Sequence, residues 1–133
     1  MKNKWLFIAA IFAALAVALG AFGAHGLKDI LDDYSVSIYN KAVLYHMFHV
    51  VGLVAVGLIS MINSNTKMYT TLAIKVNVAG WAFTIGILLF SGSLYVLAIT
   101  GTKWLGAVTP FGGISFIVGW VWLAWQALVS NKG

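Results

Sequence analysis

Four long apolar runs, separated by short polar stretches, dominate the chain: Trp5 to Ala24, Ala42 to Ile62, Val76 to Ile99 and Phe111 to Val129. Each is free of charge and matches the roughly 20 residues that a helix needs to cross a bilayer. Thr109 followed by Pro110 suits an N-cap and first helical position, since proline needs no donor there. The fourth helix is therefore drawn from 109, and the four spans are placed at about 5–24, 42–62, 76–99 and 109–129. Lys75 can snorkel to the headgroups and extend the third helix back to about Tyr69. The pattern predicts an all-α fold, an integral membrane four-helix bundle that is one domain over residues 1–133.

The linking segments differ in character. In "LKDILDDYSVSIYN", residues 27–40, Leu27, Ile30, Leu31, Tyr34 and Ile38 recur at helical spacing, with Lys28, Asp29, Asp32, Asp33 and Ser35 mostly elsewhere on the wheel. This predicts a short amphipathic helix lying on the outer surface between spans one and two. "NSNTKMYTT" reads as a polar loop rich in turn formers. The first run also contains Ala21-Phe22-Gly23, a small-x-small pattern behind Lys2 and Lys4. Its apolar length exceeds the roughly 7–15 residues of a signal-peptide core, so the helix is expected to be retained.

Composition agrees with a membrane class: 62% of residues are hydrophobic and 8% charged. The net charge of +5 comes from eight lysines against three aspartates, with no arginine, which argues for lipid headgroups and against nucleic acid. The absence of cysteine excludes disulfides and thiolate metal sites. Four spans put both termini on one side, with Lys2, Lys4, Lys67, Lys75 and Lys132; the other side holds Lys28, Lys41 and Lys103. Short lysine-rich segments stay cytoplasmic, so a multi-pass protein of the cell (inner or plasma) membrane with cytoplasmic termini is expected. Trp5 and Trp104 lie where aromatic rings anchor at headgroup level.

Little hydrophobic force joins helices in lipid, so small residues spaced by four mark faces of close approach. In the first run these are Ala10/Ala14/Ala18 and Ala16/Gly20/Ala24, which predicts a central first helix. Gly20 and Gly23 admit a neighbour, and Gly26, just past the run, suits a left-handed helix stop. Gly92, Pro110, Gly112 and Gly113 form packing points at the ends of spans three and four.

Depth bookkeeping collects His25, His46, His49, Ser91, Ser93, Tyr95 and Thr109 in the outer half of the bundle. His46 and His49, three residues apart, share a helix face, and His25 is expected to turn inward towards them. In the inner half, Asn77 opens the third helix and Gln126 closes the fourth at similar depth. A hydrogen bond between them would act as structural glue, typically worth about 1 kcal/mol.

Four segments, "GAFGAHGLK", "AVLYHMFHVVGL", "LLFSGSLYVLAI" and "VTPFGGISFIVGW", together resemble the YgdD/YwdK-like small membrane proteins, a bacterial family of unknown function with animal relatives. The resemblance covers most of the chain and implies a four-span protein with cytoplasmic termini and no settled activity. His25, Tyr45, His49, Ser91, Gly92, Ser93, Tyr95, Thr109, Pro110, Gly112 and Gly113 match the family's pattern. His46 departs from it, glutamine serving there as readily, which implies that a third imidazole is not required.

Catalysis would require a nucleophile beside a base or a metal-bound water. Ser91 or Ser93 with His25 or His49 is the only such combination, and no intramembrane carboxylate orients the base, so no catalytic residue is assigned. The leading expectation is a non-enzymatic structural or accessory role in membrane integrity or envelope homeostasis, without a cofactor. A second reading is metal or haem ligation by the outer-half histidines, His25 and His49 first among them. A third is a component of a small oligomeric channel or transporter, since intramembrane ionisable groups invite functional suspicion. The bilayer is the expected partner, with a homo-oligomer or a membrane complex as further partners.

Overall fold

The computed structural model describes residues 3–62 and 67–130, and side chains within 3–62 and 75–129. Helix α1 (Lys4–Phe22) runs into a π turn (Gly23–Leu27), and α2 (Asp33–Ile62) returns. Then α3 (Lys67–Gly86), a π turn (Ile87–Ser91) and α4 (Gly92–Thr100) follow one another without a break and form the third rod. A 3-10 turn (Lys103–Ala107) leads to α5 (Thr109–Ser130). Among the described residues, four helical stretches are long and apolar enough to cross a membrane: Lys4–Leu27, Asp33–Ile62, Lys75–Thr100 and Lys103–Val129. The protein is a four-helix bundle. Its terminal end carries the start of α1 and the end of α5, and its distal end carries the turns at 28–32 and 101–108.

Local chemistry explains the helix ends. The Asn3 side chain accepts the Leu6 N–H at 3.2 Å, which caps α1, and its amide donates to the Gly57 carbonyl at 2.9 Å, which ties α1 to α2. Asp32 caps α2 by accepting the Ser35 N–H at 2.7 Å, and this bond holds its carboxyl below the usual carboxylate range. Gly101, at φ 71°, ends α4 in the left-handed conformation that glycine adopts without strain. The stop expected at Gly26 is not made there, since Gly101 alone has positive φ among the described residues. Gly26 lies inside the π turn instead.

Three further expectations change. No separate surface helix spans 27–40: a tight turn occupies 28–32, and from Asp33 the chain is already α2. Ile38 and Tyr39 are buried within the bundle, so this segment stands upright rather than lying flat. The first helix is peripheral, with 11% of its most apolar stretch buried, against 44% for α2 and 50% for the third rod. Its packed face holds Trp5, Ala9 and Ala16, while Ala10, Ala14 and Ala18 face outward. Trp5 is 2% exposed and is no interfacial anchor, whereas Trp104 is exposed at the distal end. The polar loop expected from Asn63 falls partly on 63–66, outside the described residues, and α3 begins at Lys67.

Large side chains seat against glycines of neighbouring helices. A β-carbon on Gly80 would stand 2.5 Å from the Trp5 ring, and one on Gly52 would stand 2.9 Å from the Phe83 ring. Phe83 also covers Gly119, and Phe116 covers Gly86. Backbone meets backbone at Gly112, where a β-carbon would press on the Phe90 N and lie 2.7 Å from its Cα. These contacts knit α1, α2, α3 and α5 around a core of Trp5, Val50, Leu53, Val56, Phe83 and Phe116. At the distal end, a second core gathers Leu27, Ile38, Tyr39, Leu94, Tyr95 and Ala98. Of the glycines singled out in the sequence, Gly23 (under Tyr39), Gly26 (under Phe22) and Gly112 have no room for a β-carbon. Gly20, Gly92 and Gly113 would meet a β-carbon at ordinary contact distances, and Pro110 is exposed as the second residue of α5.

Gly112→Ala is expected to cost about 1–3 kcal/mol, because neither Phe90 nor its backbone can retreat from the added carbon. Gly92→Ala, with no heavy atom nearer than 3.9 Å, is expected to be neutral or slightly stabilising. Reversible unfolding in detergent micelles checks both; equal effects would refute the steric distinction.

Candidate functional site

The polar residues of the distal half form three separate contacts rather than one pocket. The first is a hydroxyl cluster at the π turn of the third rod. A π turn leaves the usual backbone register, marked here by the Gly92 N–H bonding to the Ile87 carbonyl, and inside a bilayer the displaced carbonyls need other donors. Ser93 Oγ donates to the Phe90 carbonyl at 2.9 Å and lies 2.7 Å from Thr109 Oγ1. Ser91 Oγ, fully buried, donates to the Ala42 carbonyl of α2 at 2.7 Å. Thr109 does not cap α5 through its hydroxyl; it is the first residue of that helix and reaches back to the Leu105 carbonyl at 3.4 Å.

The second contact is aromatic and imidazole. His46 Nδ1 lies 2.9 Å from the Tyr95 hydroxyl, and its ring meets Phe12 edge-on with centroids 5.8 Å apart. Tyr95 in turn packs against Tyr39, whose hydroxyl donates to the Leu19 carbonyl at 2.6 Å. The chain Leu19–Tyr39–Tyr95–His46–Phe12 thus sews α1, α2 and α4 together. His46 is 2% exposed, its ring held beside Phe12 of α1.

The third contact is His49. Its Nδ1 donates to the Tyr45 carbonyl at 2.7 Å, and its ring stacks on Phe116 at 3.4 Å with the planes 5° apart. Phe48, Phe83 and Trp120 complete an aromatic surround. His46 and His49 therefore look to different neighbours, one to α1 and α4, the other to α3 and α5. A central helix has neighbours on nearly every side, so a rotation of about 60° between positions i and i+3 is enough to separate them. His25 stays in the π turn that ends the first span and is exposed, so it does not turn inward.

No hydrogen bond joins a serine to an imidazole among the described residues; the hydroxyls are spent on carbonyls and on each other. No group of three or more His, Cys, Asp or Glu among those residues stands close enough to hold a metal ion. The inner pair is also rearranged. Asn77 Oδ1 accepts the Trp5 indole N–H at 2.6 Å, and no hydrogen bond among the described residues joins it to Gln126, which is buried on α5. The α3–α5 contact at that end is made instead by the Trp122 indole, which donates to the Lys75 carbonyl at 2.5 Å.

Sequence reasoning missed Tyr39 and Ser115. Ser115 donates to the Ala82 carbonyl at 2.6 Å and joins α5 to α3. Hydroxyls repeatedly paired with carbonyls of adjacent spans are the signature of a bundle that satisfies its polar groups internally.

Comparison with known proteins matches residues 19–113 to the family described as "Protein of unknown function (DUF423)". A UPF0382 membrane protein of Staphylococcus epidermidis is 49% identical over 117 residues, 88% of either chain. The chain belongs to this family. The UPF0382 membrane protein YwdK of Bacillus subtilis is 42% identical over 124 residues, 93% of this chain and 95% of the relative. A counterpart in Staphylococcus saprophyticus is 45% identical over 119 residues, 90% of this chain and 92% of the relative. No solved structure matches the chain. The resemblance read from the four sequence segments thus holds, and the protein is a membrane protein of this family. The matched stretch contains Tyr39, His46, His49, Ser91, Ser93, Tyr95 and Thr109, while Phe12, Phe116 and Trp120, which pack on the two imidazoles, lie outside it.

His46→Leu is expected to cost about 1–3 kcal/mol, because it strands the Tyr95 hydroxyl in a buried setting. His46→Gln, which keeps a hydrogen-bonding group, recovers part of that loss. His25→Ala is expected to stay within about 0.5 kcal/mol of the parent. Thermal unfolding in detergent reads all three, and a destabilised His25→Ala would contradict the exposed placement.

Proposed function

We propose that the protein is a non-enzymatic component of the cell membrane with a structural or accessory role in membrane integrity and envelope homeostasis, its termini cytoplasmic. The observation that supports this most is the use made of the distal polar groups. Ser91, Ser93, Thr109, His46 and His49 are directed at backbone carbonyls, at a tyrosine hydroxyl or at each other. Side chains committed in this way hold helices together and leave no activated nucleophile to attack a substrate. The five-to-three lysine bias supports the orientation. The apolar perimeter, including Phe7, Leu44, Val51, Phe111 and Ile117, suits acyl chains, a second copy or the spans of a membrane complex.

Metal or haem ligation by His25 and His49 has weaker support, because one imidazole is exposed at the end of the first span and the other is stacked on Phe116. Stoichiometric metal or haem in the purified protein would favour that reading over the structural one.

A deletion strain is expected to show altered membrane permeability or polarisation, restored by the wild type and fully by His25→Ala. His49→Ala and Ser91→Ala are expected to restore it in proportion to the folded protein that accumulates. A variant that reaches wild-type levels in the membrane yet fails to rescue would contradict a purely structural role.

A further inference from the structure

We propose that a groove between α1 and the third rod holds one acyl chain of an anionic glycerophospholipid in the leaflet at the terminal end, with the lipid phosphate on Lys4. The inference goes beyond the structural role, which it neither uses nor requires. It starts from charge. The three acidic side chains of the sequence, Asp29, Asp32 and Asp33, all lie at the distal end, so no side-chain carboxylate of this chain is at hand to pair with Lys4. Lys4 is the first residue of α1 and directly precedes the uncharged run that begins at Trp5, which places it where headgroups give way to acyl chains. Its Nζ lies 4.9 Å from the Trp5 ring centroid and 5.6 Å from that of Trp81, and the two indoles meet edge-on at 5.4 Å. The ammonium is thus held over ring faces contributed by α1 and the third rod, and the Trp81 ring is half exposed beside it.

From Lys4 and Trp81 both walls run in the same direction, away from the terminal end, so depth increases with residue number on each. Phe7, Ile8, Ile11 and Phe12 of α1 face Thr84 of the third rod across a groove of about 210 Å³. Lys4, Phe7, Ile8 and Ile11 are spaced by three and four and share one helix face, as Trp81 and Thr84 do on the opposite wall. The Thr84 hydroxyl donates to the Gly80 carbonyl at 2.8 Å, which leaves the groove a hydrocarbon surface. Phe7 stands about 4.5 Å deeper than Lys4 and Phe12 about 12 Å deeper, within the roughly 15 Å from the boundary to the midplane. Ammonium, indole rings and hydrocarbon therefore follow one another inward, which is the order of phosphate, ester level and acyl chain in a phospholipid of that leaflet. A zwitterionic lipid brings a second cation to a place where Lys4 already lies over both rings, so a lipid of net negative charge is preferred; basic pockets between spans recognise headgroups in this way.

Native mass spectrometry of the full chain in detergent, with phosphatidylglycerol or phosphatidylcholine added singly, tests the assignment. Phosphatidylglycerol is expected to be retained about five-fold more than phosphatidylcholine, the effect of one well-placed lysine. Lys4→Gln is expected to abolish that preference. Lys75→Gln is the control at the same end, since Lys75 precedes Thr84 by a half-integral number of helical turns and so lies on the opposite face of the third rod; it is expected to leave the preference intact. Ile11→Trp provides a second test, because Ile11 lines the groove, is 49% exposed and can carry a larger ring without entering the protein interior. It is expected to leave thermal stability unchanged while lowering retention of both lipids. Glycerol 3-phosphate is expected not to compete, because it lacks the acyl chain. Equal retention of the two lipids, a preference that survives Lys4→Gln or falls equally with Lys75→Gln, undiminished binding in Ile11→Trp, or displacement by glycerol 3-phosphate would each overturn the proposal. So would a dimer that replaces lipid retention and is weakened by Ile11→Trp, since a second copy would then cover this face.

Discussion

Inside a bilayer, burying an apolar side chain against another helix removes it from lipid that is as apolar as itself, so the hydrophobic effect does little to hold spans together. What remains is dispersion at close range, which fades within an ångström of ideal contact, and hydrogen bonding. This bundle meets the distance requirement by setting rings over residues that lack a β-carbon. Phe83 lies over both Gly52 of α2 and Gly119 of α5, while Trp5 lies over Gly80 and Phe116 over Gly86. Each ring brings broad contact area with few rotatable bonds, and each glycine lets the ring reach the neighbouring backbone.

Hydrogen bonding follows the same economy. The helical backbone already satisfies most of its own groups, so side-chain donors seek carbonyls of the adjacent span: Ser91 to Ala42, Ser115 to Ala82, Trp122 to Lys75 and Tyr39 to Leu19. The π turn at Ile87–Ser91 belongs to this pattern, for it brings Ser91 against α2 while Ser93 meets a carbonyl inside the turn. Close packing and carbonyl-directed donors thus reinforce each other, because a hydroxyl can reach a neighbouring backbone only where the helices approach closely. Functional suspicion attached to the distal histidines and serines is largely absorbed by this role.

The four spans, their order and the depth of the polar residues were legible in the sequence, since charge and apolar length record depth directly. Which face of a helix meets which neighbour was not. In a soluble helix a polar face points outward, but α1 is apolar all round, so Ala10/Ala14/Ala18 and Ala9/Ala16 are indistinguishable by pattern although only the second pair is buried. The same gap explains why His46 and His49 were placed together and Asn77 was paired with Gln126: position along a span orders residues by level and says nothing of azimuth. The segment at 33–40 misled for a different reason. Its amphipathic period is that of a helix on a surface and equally that of a helix end rising through headgroups past a neighbour, and the burial of Tyr39 decides between them.

The central claim, that rings seated over glycines hold the spans together, is tested most directly by a double-mutant cycle on Gly52→Ala and Phe83→Leu, with unfolding free energies measured in detergent. If the β-carbon is excluded by the ring that stands 2.9 Å from it, shrinking the ring relieves the clash. The double variant is then more stable than the sum of the single losses by about 1 kcal/mol or more. Additive losses within about 0.3 kcal/mol would contradict the account, because they would mean that residues 52 and 83 do not meet across the helix interface.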